Sequence, residues 1–508
     1  MALFTGLGAD EGLAQIACVA GAQANACTVA AGQTVNNVTT TGAGSTVGNA
    51  GTITNQLRTN DPNSGVTNSG SVGTFTRTFG ANAGVTNSGA VGSGAAGDGI
   101  LIQGANPNLT LLPGSNIQGI IDLSGAGTRT LSVGNGLSIA NTFVTGPNVI
   151  NSNGAPFAVN GLQVAVVDPT NLAVQDELLV DLTGGISGTV QNRLGALRNG
   201  GVSGVTSNPR PMSVGASGAS KYSDLVEDTR RQGWAQAFGS YHLQRGDGGP
   251  NVDSDIRLGG LVSGFDGVSS GGTRLGVFFG GSTGNVEADF NSQETDVDSL
   301  FGGFYASMLK GNTAIDFALT VGYSDYDRER RVANNQAATG LETARANYDG
   351  WFVSPELTLT RPLWSGAQRF EKSLTLRYSG LFLDGFTENG TAAPLSINDR
   401  DVHVLQARTK LTMPVVHEGV DGSSNRSAFF IGLEGRAQVG DEDVTGTLLA
   451  QNITFNPGGD DAVAGAFAGL EFERTSAGGT TFFASVEGQV ETGGGRQASG
   501  KAGVKFRF

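Results

Sequence analysis

The first 220 residues of this 508-residue chain contain no lysine, histidine, tyrosine or tryptophan. A Ser-His-Asp triad confined to that stretch is therefore excluded, and so is a histidine-based metal site. The whole chain has only two cysteines, Cys18 and Cys27, too few to complete a zinc site alone. No run approaches the roughly 18 consecutive apolar residues of a membrane-spanning helix. Transmembrane β-strands need only about 10 alternating residues, so this absence does not exclude a barrel. Positive charge is also scarce: a formal net charge of -14 argues against a nucleic-acid partner held by bulk electrostatics. Residues 1–20 carry Asp10 and Glu11 but no Lys or Arg, and their apolar run is broken, unlike a secretory signal peptide.

What is abundant is glycine, 81 residues without a collagen period, which signals either disorder or repetitive β-structure. The repeat decides for the latter. Val47-Gly48-Asn49-Ala50-Gly51-Thr52-Ile53 aligns with Val66 to Val72 and with Val85 to Val91, spaced by 19 residues. Asn49, Asn68 and Asn87 share one position, and Asn106 is expected at the next. A fixed period near 20 residues reads as a solenoid. Val/Ile/Thr strands with Asn/Gly turns predict a right-handed parallel β-helix over residues 1–167, stabilised by stacking of its coils. Ile100, Leu101, Ile102, Ile117, Ile120, Ile121 and Leu123 predict better-packed final coils. Cys18 and Cys27 are read as a small disulfide loop rather than two independent thiols, since other features place the chain outside the cytoplasm.

Residues 168–228 form a connecting region. Asp168-Pro169-Thr170-Asn171 reads as a helix start. Leu178, Leu182, Ile186, Val190 and Leu194 then recur every four residues as one stripe. A helix over 171–198 would be about 40 Å long, more than the roughly 30 Å of a hydrocarbon core. Gly184, Gly185, Gly188 and Gly195 weaken it by up to about 1 kcal/mol each but suit a narrow space. An ordinary helix capping the solenoid is the alternative reading. Residues 199–222 are a Gly/Ser/Pro-rich flexible linker.

From residue 222 aromatic and charged residues become frequent. Twelve strand-like segments begin near Trp234, Ser254, Thr273, Thr295, Thr313, Ala344, Lys372, Ser396, Ser427, Asp461, Thr480 and Ala498. Phe429, Ile431, Leu433, Ala437 and Val439 oppose Glu434, Arg436 and Gln438. Trp351, Val353, Leu357 and Leu359 oppose Ser354, Glu356, Thr358 and Thr360. Alternation alone also fits a soluble sandwich. The even strand count, and tight turns at 269–272 and 310–312 alternating with longer connections at 286–294 and 328–343, fit a barrel with short periplasmic turns and long outer loops. Ala502, Val504, Phe506 and Phe508 form one apolar face of the last strand, opposite cationic residues. The expected architecture is all-β: a β-helix, a linker helix and, over 229–508, a 12-stranded antiparallel transmembrane barrel.

Several segments resemble the autotransporter (type V secretion) family. These are Gly233-Trp234-Ala235-Gln236-Ala237-Phe238-Gly239-Ser240-Tyr241, Val321-Gly322-Tyr323-Ser324-Asp325-Tyr326, Tyr348 to Leu357, Tyr378-Ser379-Gly380 and Leu383-Asp384-Gly385-Phe386. Asp181-Leu182-Thr183-Gly184-Gly185-Ile186 is similar to the segment joining passenger to barrel in that family. The resemblance implies an outer-membrane barrel that exports its own N-terminal passenger to the cell surface of a Gram-negative bacterium. It implies partners: outer-membrane lipid, the barrel-insertion machinery, periplasmic chaperones, and a host or cell-surface ligand. Val504, Phe506 and Phe508 then correspond to the assembly signal, while Glu356, Glu434 and Arg436 are pore-lining candidates. No cofactor or metal is expected. The match Gly267-Val268-Ser269-Ser270-Gly271 falls in a tight turn rather than between strand and helix, so it is not a nucleophile elbow. Arg245-Gly246-Asp247 falls in the first outer loop, where its composition is that of any polar loop. The passenger is expected to be non-enzymatic, with adhesion as one role. The competing expectation is a porin-like channel with a periplasmic or disordered N-terminal extension.

Overall fold

The computed structural model describes residues 16–18, 21–23, 26–199 and 232–507, except 247, 271, 366–367, 419–422, 441, 460 and 477–479. The signal-peptide reading of residues 1–20 and the linker at 199–222 therefore fall largely outside the described residues, as do Asp247 of the Arg-Gly-Asp tripeptide and Phe508. The chain divides into two compact units.

The first unit holds residues up to Asp168 together with Arg331–Thr343 and Gly390–Ala393. It is a parallel β-solenoid of about six turns. One stacked sheet runs through Cys27–Val29, Thr46–Asn49, Gly65–Asn68, Gly84–Asn87, Asn108–Leu111 and Thr130–Val133. The sequence repeat is the structural register: Val47 pairs with Val66, Val66 with Val85, and Val85 with Leu109. These side chains, with Ile53, Leu57, Val72, Ile100, Leu109 and Ile121, are fully buried and form one continuous core. No single coil could enclose such a core, so each coil is stable only through its neighbours.

Two asparagine ladders run along this unit. In the inner one, Asn49 Nδ2 donates to Asn68 Oδ1 at 2.7 Å, and Asn68 Nδ2 to Asn87 Oδ1 at 2.8 Å. Asn106 does not continue that ladder. Residues 92–98 lengthen the next coil, so Leu111 falls beside Asn87, and Asn87 Nδ2 turns to Ser115 Oγ at 2.7 Å. Asn106 instead joins Asn63 and Asn82 in an outer ladder, with positive φ of 57°, 56° and 52° for Asn63, Asn82 and Asn106. Asparagine tolerates this left-handed conformation, which accounts for its recurrence at the corner. Gly70 is required for a different reason: a Cβ there would strike the carbonyl oxygen of Gly51 in the coil beneath. Asn335 completes the unit. Its backbone N–H donates to Asn141 Oδ1 at 3.1 Å, its Oδ1 accepts from the Thr142 N–H at 2.8 Å, and its Nδ2 donates to the Gly119 carbonyl at 2.7 Å. Cys18 and Cys27 are disulfide-bonded, with Cα atoms 4.9 Å apart.

The second unit is a closed antiparallel barrel of twelve strands. They are β1 (Gln232–Gln244), β2 (Ser254–Val268), β3 (Arg274–Ala288), β4 (Gln293–Lys310), β5 (Thr313–Ala333), β6 (Leu341–Ser365), β7 (Gln368–Leu383), β8 (Arg400–Glu418), β9 (Ser424–Gln438), β10 (Ala462–Thr475), β11 (Thr481–Glu491) and β12 (Arg496–Arg507). β1 pairs with β12 from Gln232–Arg507 to Leu243–Arg496, which closes the sheet and leaves no free edge. Alternation sorts the side chains. Leu261, Phe279, Leu300, Trp351, Leu433, Phe482 and Val486 point outward and are exposed, whereas Ser354, Glu356, Thr358, Arg377 and Glu434 point inward and are buried. An exposed apolar exterior around a polar interior reverses a soluble protein and matches a barrel solvated by lipid.

Two of the long connections differ from expectation. The polar segments at 286–294 and 328–343 are mostly strand. Tyr326, Arg328 and Arg330 continue the inward alternation of β5, so only 334–340 remain as its connection to β6, and β3 joins β4 through 289–292. The extended connections are instead 245–253, 384–399 and 439–461. Within the last two, Phe386–Thr387, Leu395–Ile397, Val444–Leu448 and Gln451–Phe455 form a separate four-stranded sheet. All three leave the same end of the barrel.

Candidate functional site

The lumen is occupied by α1 (Gln175–Asn199), preceded by a single turn at Thr170–Ala173. At 1.5 Å per residue α1 is about 37 Å long, enough to run the depth of a bilayer core. The stripe Leu178, Leu182, Ile186, Val190 and Leu194 is buried, as expected from its spacing. The opposite sides are buried too: Glu177, Asp181, Thr183, Thr189 and Arg193 are each below 5% exposed. An amphipathic helix lying on a surface leaves one face wet. This one lies within the barrel, and many of its polar residues are met by a polar wall.

Small residues make the fit possible. A Cβ on Gly185 would enter the ring of Phe238, and one on Gly188 would strike the Lys501 side chain. Glycine here is a response to close approach, at a cost in intrinsic helix stability that burial offsets.

Hydrogen bonds tie α1 to the wall along its length. Near the start, Asn171 Nδ2 donates to Thr295 Oγ1 at 2.9 Å, Gln175 Nε2 to the Tyr348 hydroxyl at 3.1 Å, and Arg400 to the Leu172 carbonyl at 3.0 Å. In the middle, the Thr183 and Ser379 hydroxyls bond at 3.0 Å, and Gln191 Nε2 donates to Glu356 Oε1 at 2.8 Å and Thr358 Oγ1 at 3.0 Å. At the far end, Arg193 Nε and Nη2 donate to the two oxygens of Asp266 at 2.6 and 2.8 Å, and Nη2 also reaches Gln232 Oε1 at 2.7 Å. Asp266 accepts further from the Tyr305 hydroxyl at 2.7 Å and from Arg274 at 2.5 Å, while Trp234 Nε1 donates to Tyr305 at 2.9 Å. Arg193 and Asp266 side chains are both 0% exposed. Such planar, doubly bonded pairing is the strong form of an ion pair.

The residues singled out in the sequence fall as follows. Glu356 lies on β6 facing α1, where it accepts from Ser187 and Gln191. Glu434 on β9 accepts from Gln406 Nε2 at 2.6 Å and faces Arg408 and Gln489, not the helix. Arg436 on β9 pairs with Glu177 of α1 and, at 3.0 Å, with Glu491 of β11. Val504 lies on β12 opposite Ala235, with Phe506 opposite Gly233. Gly267 to Ser270 end β2 and its turn, in no arrangement with a base. Arg193, Asp266, Tyr305 and Gln232 were not foreseen. An arginine in a run rich in glycine and leucine was the one available signal.

Beside α1 the lumen keeps a cavity of about 150 Å³, lined by Gly188, Gln191, Arg408, Lys410, Glu471 and Lys501. The charges pair across it: Lys410 lies 3.1 Å from Glu471, and Arg408 lies 2.5 Å from Glu487. The helix start sits among the long connections, where Val252 N–H donates to Thr170 Oγ1 at 3.1 Å, and its other end meets the start of β1.

A closed barrel with a lipid-facing exterior, plugged by the helix preceding its first strand, defines an outer-membrane β-barrel of the translocator class. The autotransporter β-domain family matches residues 233–487, half the chain, and the chain belongs to that family. It is an outer-membrane protein whose barrel serves translocation of an N-terminal passenger. Among solved structures it is similar to the translocator domain of autotransporter NalP from Neisseria meningitidis, at 16% identity over 65% of this chain and 98% of that one, TM-score 0.45. It is also similar to the β domain of the Bordetella autotransporter BrkA, at 16% identity over 55% of this chain and 100% of that one, TM-score 0.41. The transport unit of AIDA-I from Escherichia coli matches at 11% identity over 59% and 93% of the two chains, TM-score 0.34. No curated protein sequence matches the chain significantly.

Proposed function

We propose that this chain exports its own solenoid and displays it at the cell surface as a non-enzymatic, adhesive passenger. The observation that carries the reading is α1, held in the lumen from end to end. The start of the helical segment, at Thr170, lies among the long connections of the barrel, and in such barrels those are the outer loops. Stacking of successive coils outside would oppose backsliding, because each added coil buries apolar side chains. The solenoid itself offers ladders of Asn, Thr and Ser and no histidine, a surface for hydrogen-bonded recognition rather than acid–base chemistry.

In this reading the domains are a passenger over 1–167, a connecting region over 168–228 and a translocator over 229–508. Val504, Phe506 and Phe508 present the strand recognised by the insertion machinery, and periplasmic chaperones escort the unfolded chain. Glu356 and Arg436 hold the plug and Glu434 organises the wall beside it. A porin-like role is disfavoured by the filled lumen. The test is adhesion. Cells displaying the full chain should be retained on epithelial monolayers or should aggregate, and deletion of residues 26–167 should abolish either effect. Equal retention with and without the solenoid would remove adhesion from the proposal while leaving export standing.

A further inference from the structure

Near the start of α1 the barrel wall holds a group of side chains that the plug does not explain. His242 of β1 is fully buried, and neither ring nitrogen makes a hydrogen bond. Its Nδ1 faces Asp181 Oδ2 at 3.5 Å and its Nε2 faces Glu491 Oε2 at 3.6 Å. Glu177 of α1 brings a third carboxylate, and the ligand atoms of Glu177, His242 and Glu491 all lie within 4.8 Å of one another. Gln244, two residues along the same inward face of β1, has a buried Oε1 without a hydrogen bond. These atoms converge on one small space beside Gly495. A Cβ built there would sit 2.9 Å from Glu491 Oε2, 3.0 Å from Gln244 Oε1 and 3.3 Å from His242 Nε2.

Gathering His242 Nε2, Glu491 Oε2 and Gln244 Oε1 around a methyl-sized gap is unfavourable unless something positive lies there, either the proton that makes His242 an ion-pair partner of Asp181 and Glu491 or a bound cation. Arg436 answers part of the charge through Glu177 and Glu491. Against Glu177, Asp181 and Glu491 it leaves a net charge of -2 when His242 is neutral. Two ligands on a tetrahedral ion with bonds of about 2.0–2.1 Å lie roughly 3.4 Å apart, close to the separation of His242 Nε2 and Glu491 Oε2. The remaining ring nitrogen faces Asp181, and a carboxylate on the far nitrogen is the usual outer support of a metal-bound imidazole. Asp181 is itself positioned by Gln497 Nε2 at 2.6 Å. A neighbouring cavity of about 250 Å³, lined in part by Glu177, Gln244 and Asn251, gives a route in from the outer connections.

We propose that His242, Gln244, Glu491 and Glu177 form a binding site for a divalent transition-metal ion of the Zn²⁺ type. Imidazole with carboxylate and amide oxygens suits Zn²⁺ better than Mg²⁺ or Ca²⁺. Because Glu177 belongs to the plug while His242, Gln244 and Glu491 belong to β1 and β11, the bound ion fastens the helix to the wall after export.

The test uses the full chain in detergent, purified through a tag without histidine, stripped with chelator and titrated calorimetrically with Zn²⁺. One saturable equivalent is expected. Gly495→Ala keeps every ligand residue and adds a methyl group to the gap; Gly495 has φ of -59°, so alanine fits the backbone. That variant and His242→Ala should each weaken binding at least tenfold, whereas His403→Ala and His417→Ala should bind as the unaltered chain does. Folding of each variant is read independently from heat-modifiable migration in gels. No saturable binding by the unaltered chain would overturn the proposal, as would folded Gly495→Ala and His242→Ala variants that bind unchanged. Equal loss in His403→Ala would overturn it too, by placing the ion elsewhere.

Discussion

Arg193→Met removes the strongest single tie between plug and barrel. The substitution keeps an unbranched apolar side chain of similar reach, so packing is largely retained. It deletes the two bonds to Asp266 and the one to Gln232. Taking one partner from a fully buried ion pair costs about 3–5 kcal/mol, because the other charge is left in a low-dielectric site. Asp266 is not wholly abandoned, since Arg274 and the Tyr305 hydroxyl remain on it. Those remaining partners bring the cost below that range, to about 2–3 kcal/mol. At 1.4 kcal/mol per factor of ten, this shifts the ratio of displaced to seated helix about 30- to 150-fold. Planar-bilayer recordings read that ratio directly as the fraction of time the pore conducts. The Arg193→Met barrel should conduct more by that factor, while Arg274→Met, on the same carboxylate but outside the helix, should raise conduction far less. Equal open fractions for Arg193→Met and the unaltered barrel would refute the claim that α1 is held by this pair.

Gly185→Leu forces a side chain into the Phe238 ring and should cost at least the roughly 1–3 kcal/mol of overpacking; it should raise conductance and lower the temperature of heat-modifiable migration. Asn68→Ala breaks the inner ladder on both sides, leaving Asn87 Oδ1 without its donor, at a cost of about 1–3 kcal/mol; limited proteolysis of the full chain should then cut the solenoid faster and the barrel no faster. The outer sheet should weaken in acid. Burial alone would push the Glu388 carboxyl up, but Arg330, doubly bonded to it, holds it below the ordinary carboxylate range. A depressed folded-state value means stability that is present above the ordinary range and lost as pH falls through the folded value. Hydrogen exchange at Leu395 to Ile397 should therefore accelerate in strong acid, below about pH 4, and Arg330→Gln should remove that dependence.

Local patterns in the sequence carried the two repetitive parts of the fold. Val47, Val66 and Val85 stack because a coil that repeats in sequence must repeat in space, and Trp351 and Glu356 separate because a strand has two faces. What the sequence could not display was length and register where those patterns persist. β5 and β6 run on through polar residues because their inward face is itself polar, so Arg328 and Arg330 look like loop and are strand. Asn106 missed the inner ladder because the insertion at 92–98 displaced it by a corner. The plug was half visible. Leu178 to Leu194 announced a helix, but a stripe implies one buried face, and only a polar-lined lumen buries the other. The partners of Arg193 lie on β1 and β2, with Tyr305 of β4 behind Asp266, and no local pattern links residues so far apart in the chain.

The most direct test of the central claim is surface placement of the solenoid. An epitope inserted near Asn63, at an exposed corner of the solenoid, would be probed on intact cells with antibody and with added protease, using a chain carrying an export signal. A second version would end before Trp234. The account predicts labelling and shaving of intact cells that depend on the barrel. An epitope reached only after lysis would contradict it, and would leave a plugged barrel whose N-terminal solenoid faces inward.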